Sequence, residues 1–132
     1  MINEELNNFL EEVISKLKTV TGVDLIYFLD SNHQIVKEHK TNNTDNYFQQ
    51  VLNIVKSEAL IPKTGELIYK KPFHTYTLLN EKGMMVILRL NGIENLCMII
   101  IAGEKQPVDL ITLLKICKES RQHYENFSIT NA

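Results

Sequence analysis

The chain has 132 residues, of which 44% are hydrophobic and 23% charged, a length and composition that predict one globular domain. Fourteen basic against 16 acidic residues give a formal net charge of −2, which offers no general attraction for nucleic acid or anionic lipid. The longest apolar run, Leu96–Ala102, falls far short of the roughly 20 residues that cross a bilayer, and the first residues lack a secretory signal pattern, so we expect a cytoplasmic protein.

The first forty residues predict an amphipathic helix followed by a β-hairpin. Apolar residues recur at helical spacing from Ile2 to Val20, and Gly22 stands where a left-handed C-cap would end the helix. The nearly continuous apolar run Val23–Leu29 predicts a buried strand, and residues 34–40 return as a second strand. Because charged residues fill the end of this second strand, we expect it at an edge of the sheet.

The middle of the chain predicts a second helix and a long third strand. The helix is expected over residues 46–58, after a loop rich in cap-forming residues, with Pro62 and Gly65 marking its exit. Residues 66–79 are rich in β-formers and predict a strand that is interrupted or bulged near Pro72. Tyr69, Phe73, Tyr76 and Leu78 would then lie on an exposed sheet edge.

The last third of the chain predicts two more strands and a helix. Residues 84–90 and Leu96–Ala102 are rich in β-formers and are separated by short turns, which predicts an antiparallel meander with the third strand. Pro107 fits the first turn of a final helix. One apolar stripe of that helix comprises Leu110, Leu113, Leu114, Cys117 and Tyr124. We expect a single domain over residues 1–127 and a frayed tail over residues 128–132.

The second helix has more apolar surface than one sheet face requires. Its apolar side chains cover roughly 160° of the helix, against about 100° for one-sided packing. They form two adjacent rows. The row expected to pack on the sheet is Phe48, Leu52, Val55 and Ala59; the row expected to meet a partner is Tyr47, Val51 and Ile54. Because two-fold dimers are the commonest assemblies, a second copy of the chain is the expected partner, with a covering loop near Pro62 as the alternative.

Catalytic and metal-binding patterns are weak in this sequence. The five glycines are scattered singly, so no phosphate-binding loop is predicted, and the four histidines do not stand at metal-ligand spacing. Cys97 with His74 could form a nucleophilic pair, but Cys97 has no basic neighbour in the sequence to lower its thiol pKa. We interpret Cys97 and Cys117 as reduced core residues, and expect no enzyme activity, metal or cofactor.

The order helix, two strands, helix, three strands, helix resembles the roadblock/dynein light chain family over essentially the whole chain. The resemblance rests on Thr21-Gly22-Val23 after the first helix, on the hairpin over residues 25–35, and on residues 97–102 leading to the last helix. The family commonly has an Asp-x-x-Gly turn between the first two strands. Here the turn begins at Asp30, and His33 takes the place of the glycine.

This resemblance implies an α+β, profilin-like fold with a five-stranded antiparallel sheet in order 2-1-5-4-3. The first and last helices would cover one face and the second helix the other. It also implies a non-enzymatic homodimer that joins second helices and third strands, and that acts in signalling as a scaffold or regulator of Ras-like small GTPases. The dimer surface implied for this chain comprises Tyr47, Val51, Ile54, Ile68, Tyr69 and Phe73.

A sensory domain of the PAS or GAF type is the alternative interpretation, because such domains share the sheet order and flanking helices. Met84, Met85 and Met98 could then line a small ligand pocket. The short turn at residues 80–83 argues against a deep pocket, since those domains need longer connections as walls.

Overall fold

Five antiparallel strands form one sheet in the order β2-β1-β5-β4-β3, which confirms the predicted α+β topology. The computed structural model describes residues 3–41, 47–57 and 60–131. The elements within them are α1 (Glu4–Lys18), β1 (Val23–Leu29), β2 (Ile35–Lys40), α2 (Phe48–Ser57), α3 (Leu60–Tyr69), β3 (Thr75–Asn80), β4 (Gly83–Leu90), β5 (Leu96–Ala102) and α4 (Leu110–Thr130).

The sheet is covered by helices on both faces. Side chains alternate across each strand, so Ile26 and Phe28 of β1 pack with α1 and α4, whereas Leu25 and Tyr27 pack with α2. All seven residues of β1 are therefore buried, which explains its nearly continuous apolar sequence. The helix layers agree with the prediction, with the first and last helices on one face and the second helix on the other.

The turn between β1 and β2 is held by Asp30. Its Oδ1 accepts hydrogen bonds from the backbone N–H groups of Asn32 at 2.8 Å and Gln34 at 3.0 Å. His33 has φ 61°, the left-handed conformation that glycine adopts without strain. The turn therefore has histidine in a backbone conformation that favours glycine.

The predicted third strand over residues 66–79 is wrong, because the helix α3 occupies Leu60–Tyr69 and β3 begins only at Thr75. Pro62 and Gly65 lie inside α3 instead of marking a helix exit. Pro62 is in the first turn, where the missing N–H costs no helical hydrogen bond. A Cβ on Gly65 would lie 2.6 Å from the Lys71 carbonyl oxygen, so glycine lets α3 pack closely on the segment that follows it.

The last helix starts later and ends later than predicted. Asp109 is its N-cap and accepts a hydrogen bond from Thr112 N–H, so Pro107 precedes the helix instead of forming its first turn. The helix continues to Thr130, and Ser128 is buried against the turn at Gly92. A frayed tail from residue 128 is therefore wrong, because this part of α4 packs on the β4–β5 turn.

Candidate protein interaction surface

The two edges of the sheet differ in charge. The edge strand β2 carries Lys37, Glu38 and Lys40, and charged side chains discourage pairing with another chain. The opposite edge strand β3 has the sequence Thr-Tyr-Thr-Leu-Leu-Asn, without any charge. Because no charge on β3 opposes the approach of a further strand, β3 is the edge better suited to pairing.

On the face that α2 covers, the structure corrects the predicted orientation of the helix. Val51 is only 1% exposed and packs on the sheet together with Val55, while Phe48 contacts the ring of Tyr27 at 5.9 Å between centroids. Val51 was predicted to face a partner, but its own sheet covers it. The two apolar rows are adjacent on the helix, and each row contributes a buried residue to the packing on the sheet, Val51 from one and Val55 from the other. Ile54 and Tyr47 remain half-buried.

An open groove of about 680 Å³ runs between α2 and the end of the β3–β4 hairpin. Apolar side chains from both elements line it. We define the α2–β3 surface by the residues Tyr47, Ile54, Leu78, Leu79, Met84 and Met85. Polar groups stand at its margin, where the Tyr47 hydroxyl donates to the Glu104 carboxylate at 3.3 Å. The surface is thus an apolar trough beside an uncharged strand edge.

The remaining predicted interface residues form a separate group. Ile68 and Tyr69 are exposed at the end of α3 beside exposed Leu67, and Tyr69 meets half-buried Phe73 at 5.9 Å between ring centroids. None of them lines the groove. They were predicted as edge-strand residues, but Ile68 and Tyr69 are helical and Phe73 lies in the connection before β3. We define Leu67, Ile68 and Tyr69 as the α3 patch.

Sequence reasoning placed Leu78 on the sheet edge but missed Leu79 and Glu104. Leu79 pairs with Met84 across the hairpin, a neighbour that only the strand register reveals. The turn at Asn80, whose Oδ1 accepts N–H bonds from Lys82 and Gly83, fixes that register. Glu104 reaches the groove because its backbone N–H donates to the buried carboxylate of Asp24 at 3.2 Å.

Comparison with known proteins settles the fold. No protein-family model and no curated protein sequence matches the chain. Among solved structures, "MglB with tetrameric arrangement" superposes with a TM-score of 0.75 over 100% of this chain and 96% of that one, at 10% identity. The roadblock/LC7 domain from Streptomyces avermitilis gives 0.66 over 86% and 92%, at 10% identity. This chain has the roadblock/LC7 fold.

A third structure of the same type is the gliding protein MglB from Thermus thermophilus. Its TM-score is 0.68, and the match covers 98% of this chain and 95% of that one, at 12% identity. The roadblock/LC7 fold is therefore matched over nearly the full length of both chains. At such identities the likeness defines the architecture, and the chemistry of the surface must be argued from the residues of this chain.

A second, smaller cleft in this roadblock/LC7 fold contains the cysteine that the sequence singled out. The cleft measures about 230 Å³, and Cys97, Arg89, Asp30 and His33 are among its lining residues. Arg89 lies directly opposite Cys97 in the β4–β5 register, so the thiol has a cationic neighbour that the sequence did not show. The lining does not include His74, with which Cys97 was predicted to pair.

The other cysteine is part of the core of the roadblock/LC7 fold. Cys117 is buried in α4, and burial raises the pKa of its thiol to about 12. Both cysteines are free thiols, in agreement with the sequence interpretation. Within the described residues, no group of three or more His, Cys, Asp or Glu side chains could hold a metal ion. Over the same residues, no helix is long and apolar enough to cross a membrane.

Proposed function

We propose that this chain is a non-enzymatic homodimeric scaffold, formed through the α2–β3 surface, that regulates a Ras-like small GTPase in the cytoplasm. The observation that carries the dimer is the uncharged edge strand β3 lying beside an apolar groove. Two copies related by a two-fold axis would pair their β3 edges and cover both grooves at once. Each copy then satisfies the backbone groups of the other.

The partly exposed side chains of the groove offer apolar surface to such a dimer. Complete burial of an exposed large aliphatic side chain contributes about 1.5–3 kcal/mol, and each copy offers a part of that gain at Ile54, Leu78 and Leu79, which are already partly covered. Standard interfaces bury about 1,200–2,000 Å² in total. We assign the α3 patch and Phe73 to the rim of the same interface, because the connection from α3 leads directly into β3. Val51, 1% exposed, forms part of the floor of this groove.

Sedimentation of a matched pair of variants tests the dimer. Leu78 is 43% exposed on β3, and Ile93 is 42% exposed in the β4–β5 turn, outside the α2–β3 surface. Leu78→Lys places a charge on the edge strand and is expected to abolish this contact, whereas Ile93→Lys should leave it intact. Both variants should keep the wild-type circular dichroism spectrum. A wild-type protein that stays monomeric over a micromolar to millimolar series would refute the dimer.

The regulatory part of the proposal rests on the family resemblance and on the roadblock/LC7 fold shared with gliding proteins. The experiment is titration calorimetry of the chain against a Ras-like GTPase encoded in the same genome, loaded in turn with GDP and with a non-hydrolysable GTP analogue. We expect binding that depends on the nucleotide and fails with Leu78→Lys. Absence of binding to every such GTPase in both nucleotide states contradicts this part while leaving the dimer untouched.

The groove also favours a second candidate, a sensory domain that binds a small apolar ligand. Its volume of about 680 Å³ lies within the range of ligand sites, about 300–1,000 Å³, and Met84 and Met85 line it. Met98 does not take part, because it is buried in the core under α1 and α4. Native mass spectrometry of the freshly purified chain separates the two. A ligand bound in place of the second copy would favour the sensory candidate.

A further inference from the structure

The outward face of α4 carries a pattern of residues that the fold does not use. On the side opposite buried Cys117 and Tyr124, six exposed side chains follow one another at alternating spacings of four and three residues: Ile111, Lys115, Lys118, Gln122, Glu125 and Ile129. This spacing places them on one straight stripe of the helix. Both ends of this α4 stripe are apolar, since Ile111 is 83% and Ile129 78% exposed.

The α4 stripe is complementary to itself when it is read in the opposite direction. If a second α4 lies antiparallel with residue 120 of both helices at the centre, Ile111 of one copy meets Ile129 of the other. In the same register Lys115 meets Glu125. Lys118 meets Gln122, whose amide oxygen can accept its hydrogen bond. Two-fold symmetry makes each of these pairs twice. A parallel arrangement would instead place each lysine against its own copy.

We propose that the α4 stripe docks against the α4 stripe of a second copy of this chain, antiparallel about residue 120. Charge complementarity supports this choice. Arg121 Nη1 donates to Glu125 Oε1 at 2.8 Å within the helix, and the exposed Glu125 carboxylate has a second oxygen that can accept from a lysine of the second copy. Lys115 and Lys118 form no ion pair with another described residue, so both can contact a partner.

This contact is distinct from the α2–β3 surface and does not depend on it. The helix α4 lies on the opposite face of the sheet from α2, so one chain can use both surfaces together. The two isoleucine contacts lie about 27 Å apart along the helix, and the positions between them are polar. The association should therefore be weaker than that of an apolar coiled coil and sensitive to salt. Its effect would be to join α2–β3 dimers into larger assemblies.

Charge reversal tests the pairing, with association measured by sedimentation equilibrium in the wild type and in the Leu78→Lys background. Lys115→Glu places a carboxylate opposite the Glu125 carboxylate in both symmetric pairs and is expected to weaken association on the order of tenfold. Glu125→Lys places a lysine opposite Lys115 and should weaken association in the same way. The double variant Lys115→Glu with Glu125→Lys restores opposite charges and should recover association. Lys40→Glu, an exposed charge reversal on β2, is the matched control and should change nothing.

The register has its own readout. Because the native cysteines are buried, a mixture of the single variants Lys118→Cys and Gln122→Cys should form the mixed disulfide in preference to either symmetric one. A predominance of the symmetric disulfides would overturn the antiparallel register. Equal association of Lys115→Glu, Lys40→Glu and the wild type would overturn the contact itself. If Leu78→Lys leaves the mass unchanged while Lys115→Glu lowers it, the α2–β3 dimer fails and the α4 contact stands.

Discussion

The orientation of α2 leads to opposite expectations for two residues that are three positions apart. Both residues line the groove, but Val51 is only 1% exposed and packs on its own sheet, whereas Ile54 is half-buried. Val51→Ala removes two carbons at about 0.8 kcal/mol each and leaves a cavity, so we expect a loss of about 2–3 kcal/mol in the free energy of unfolding. For a domain of this size that corresponds to a fall in Tm of roughly 6–12 °C.

Ile54→Ala should instead act chiefly on association. Binding stabilises the folded state by mass action, so the melting temperature of a dimer rises with protein concentration. The gap in Tm between Ile54→Ala and the wild type should widen as the concentration increases. The gap for Val51→Ala should stay constant. The chain has no tryptophan, so melting is followed by far-ultraviolet circular dichroism at several concentrations. A gap for Val51→Ala that is small in dilute solution and widens with concentration would refute the orientation of α2.

Three further substitutions test features that hold the domain together. The Tyr124 hydroxyl, buried in α4, donates to the Glu94 carbonyl at 2.6 Å and accepts from the Glu94 backbone N–H at 3.3 Å. Tyr124→Phe should therefore lower the free energy of unfolding in urea by about 1–3 kcal/mol and speed hydrogen exchange of the Glu94 amide. Unchanged exchange would contradict this link. Burial raises the pKa of the Cys117 thiol from 9.0 to about 12, so the stability contributed by the neutral thiol is complete below pH 9 and is lost as the pH rises through 12. Under reducing conditions, the free energy of unfolding of Cys117→Ala should therefore fall less steeply above pH 9 than that of the wild type, by up to about 1.4 kcal/mol per pH unit. Parallel curves of unfolding free energy against pH would contradict this. His33→Gly should raise stability by about 0.5–1 kcal/mol because glycine adopts the positive φ without strain, whereas a similar gain from His33→Ala would show that the turn is not strained.

The sheet could be predicted because its strands carry strong local signals. Two strands, Val23–Leu29 and Leu96–Ala102, are buried on both faces of the sheet. Their apolar runs therefore begin and end where the strands begin and end. The short turns of the meander fix β3, β4 and β5 as neighbours. The region from residue 60 to residue 74 was mispredicted because its β-formers, Ile68 and Tyr69 among them, are helical in the structure. Propensity is a weak guide where tertiary packing competes with it, and α3 packs closely at Gly65 on the segment that follows.

The candidate site was predictable only in part, for a different physical reason. A helical pattern shows which residues are apolar, but it does not show which of two adjacent rows the sheet will cover. Val51 was therefore expected to be open to a partner but is buried at the floor of the groove, whereas Ile54 is half-buried at the same groove. Contacts between strands are equally hidden, because Arg89 and Cys97 are far enough apart in sequence to look unrelated and become direct neighbours only through the β4–β5 register.

The groove follows from the difference between the width of the sheet and the width of the single helix, α2, that packs on this face. Five strands about 4.8 Å apart span roughly 19 Å between the outer strand axes, and a helix with its side chains is about 10 Å wide. Two helices, α1 and α4, are therefore enough for one face. On the other face, α2 packs over Tyr27, Ile87 and Ile99 near the middle of the sheet, and no α3 side chain joins that cluster among the described residues. Among the described residues, the face beside β3 therefore keeps an open groove. In the proposed dimer a second copy would cover this groove from the open edge, and this incomplete cover is a strong reason to expect that the domain acts as a dimer.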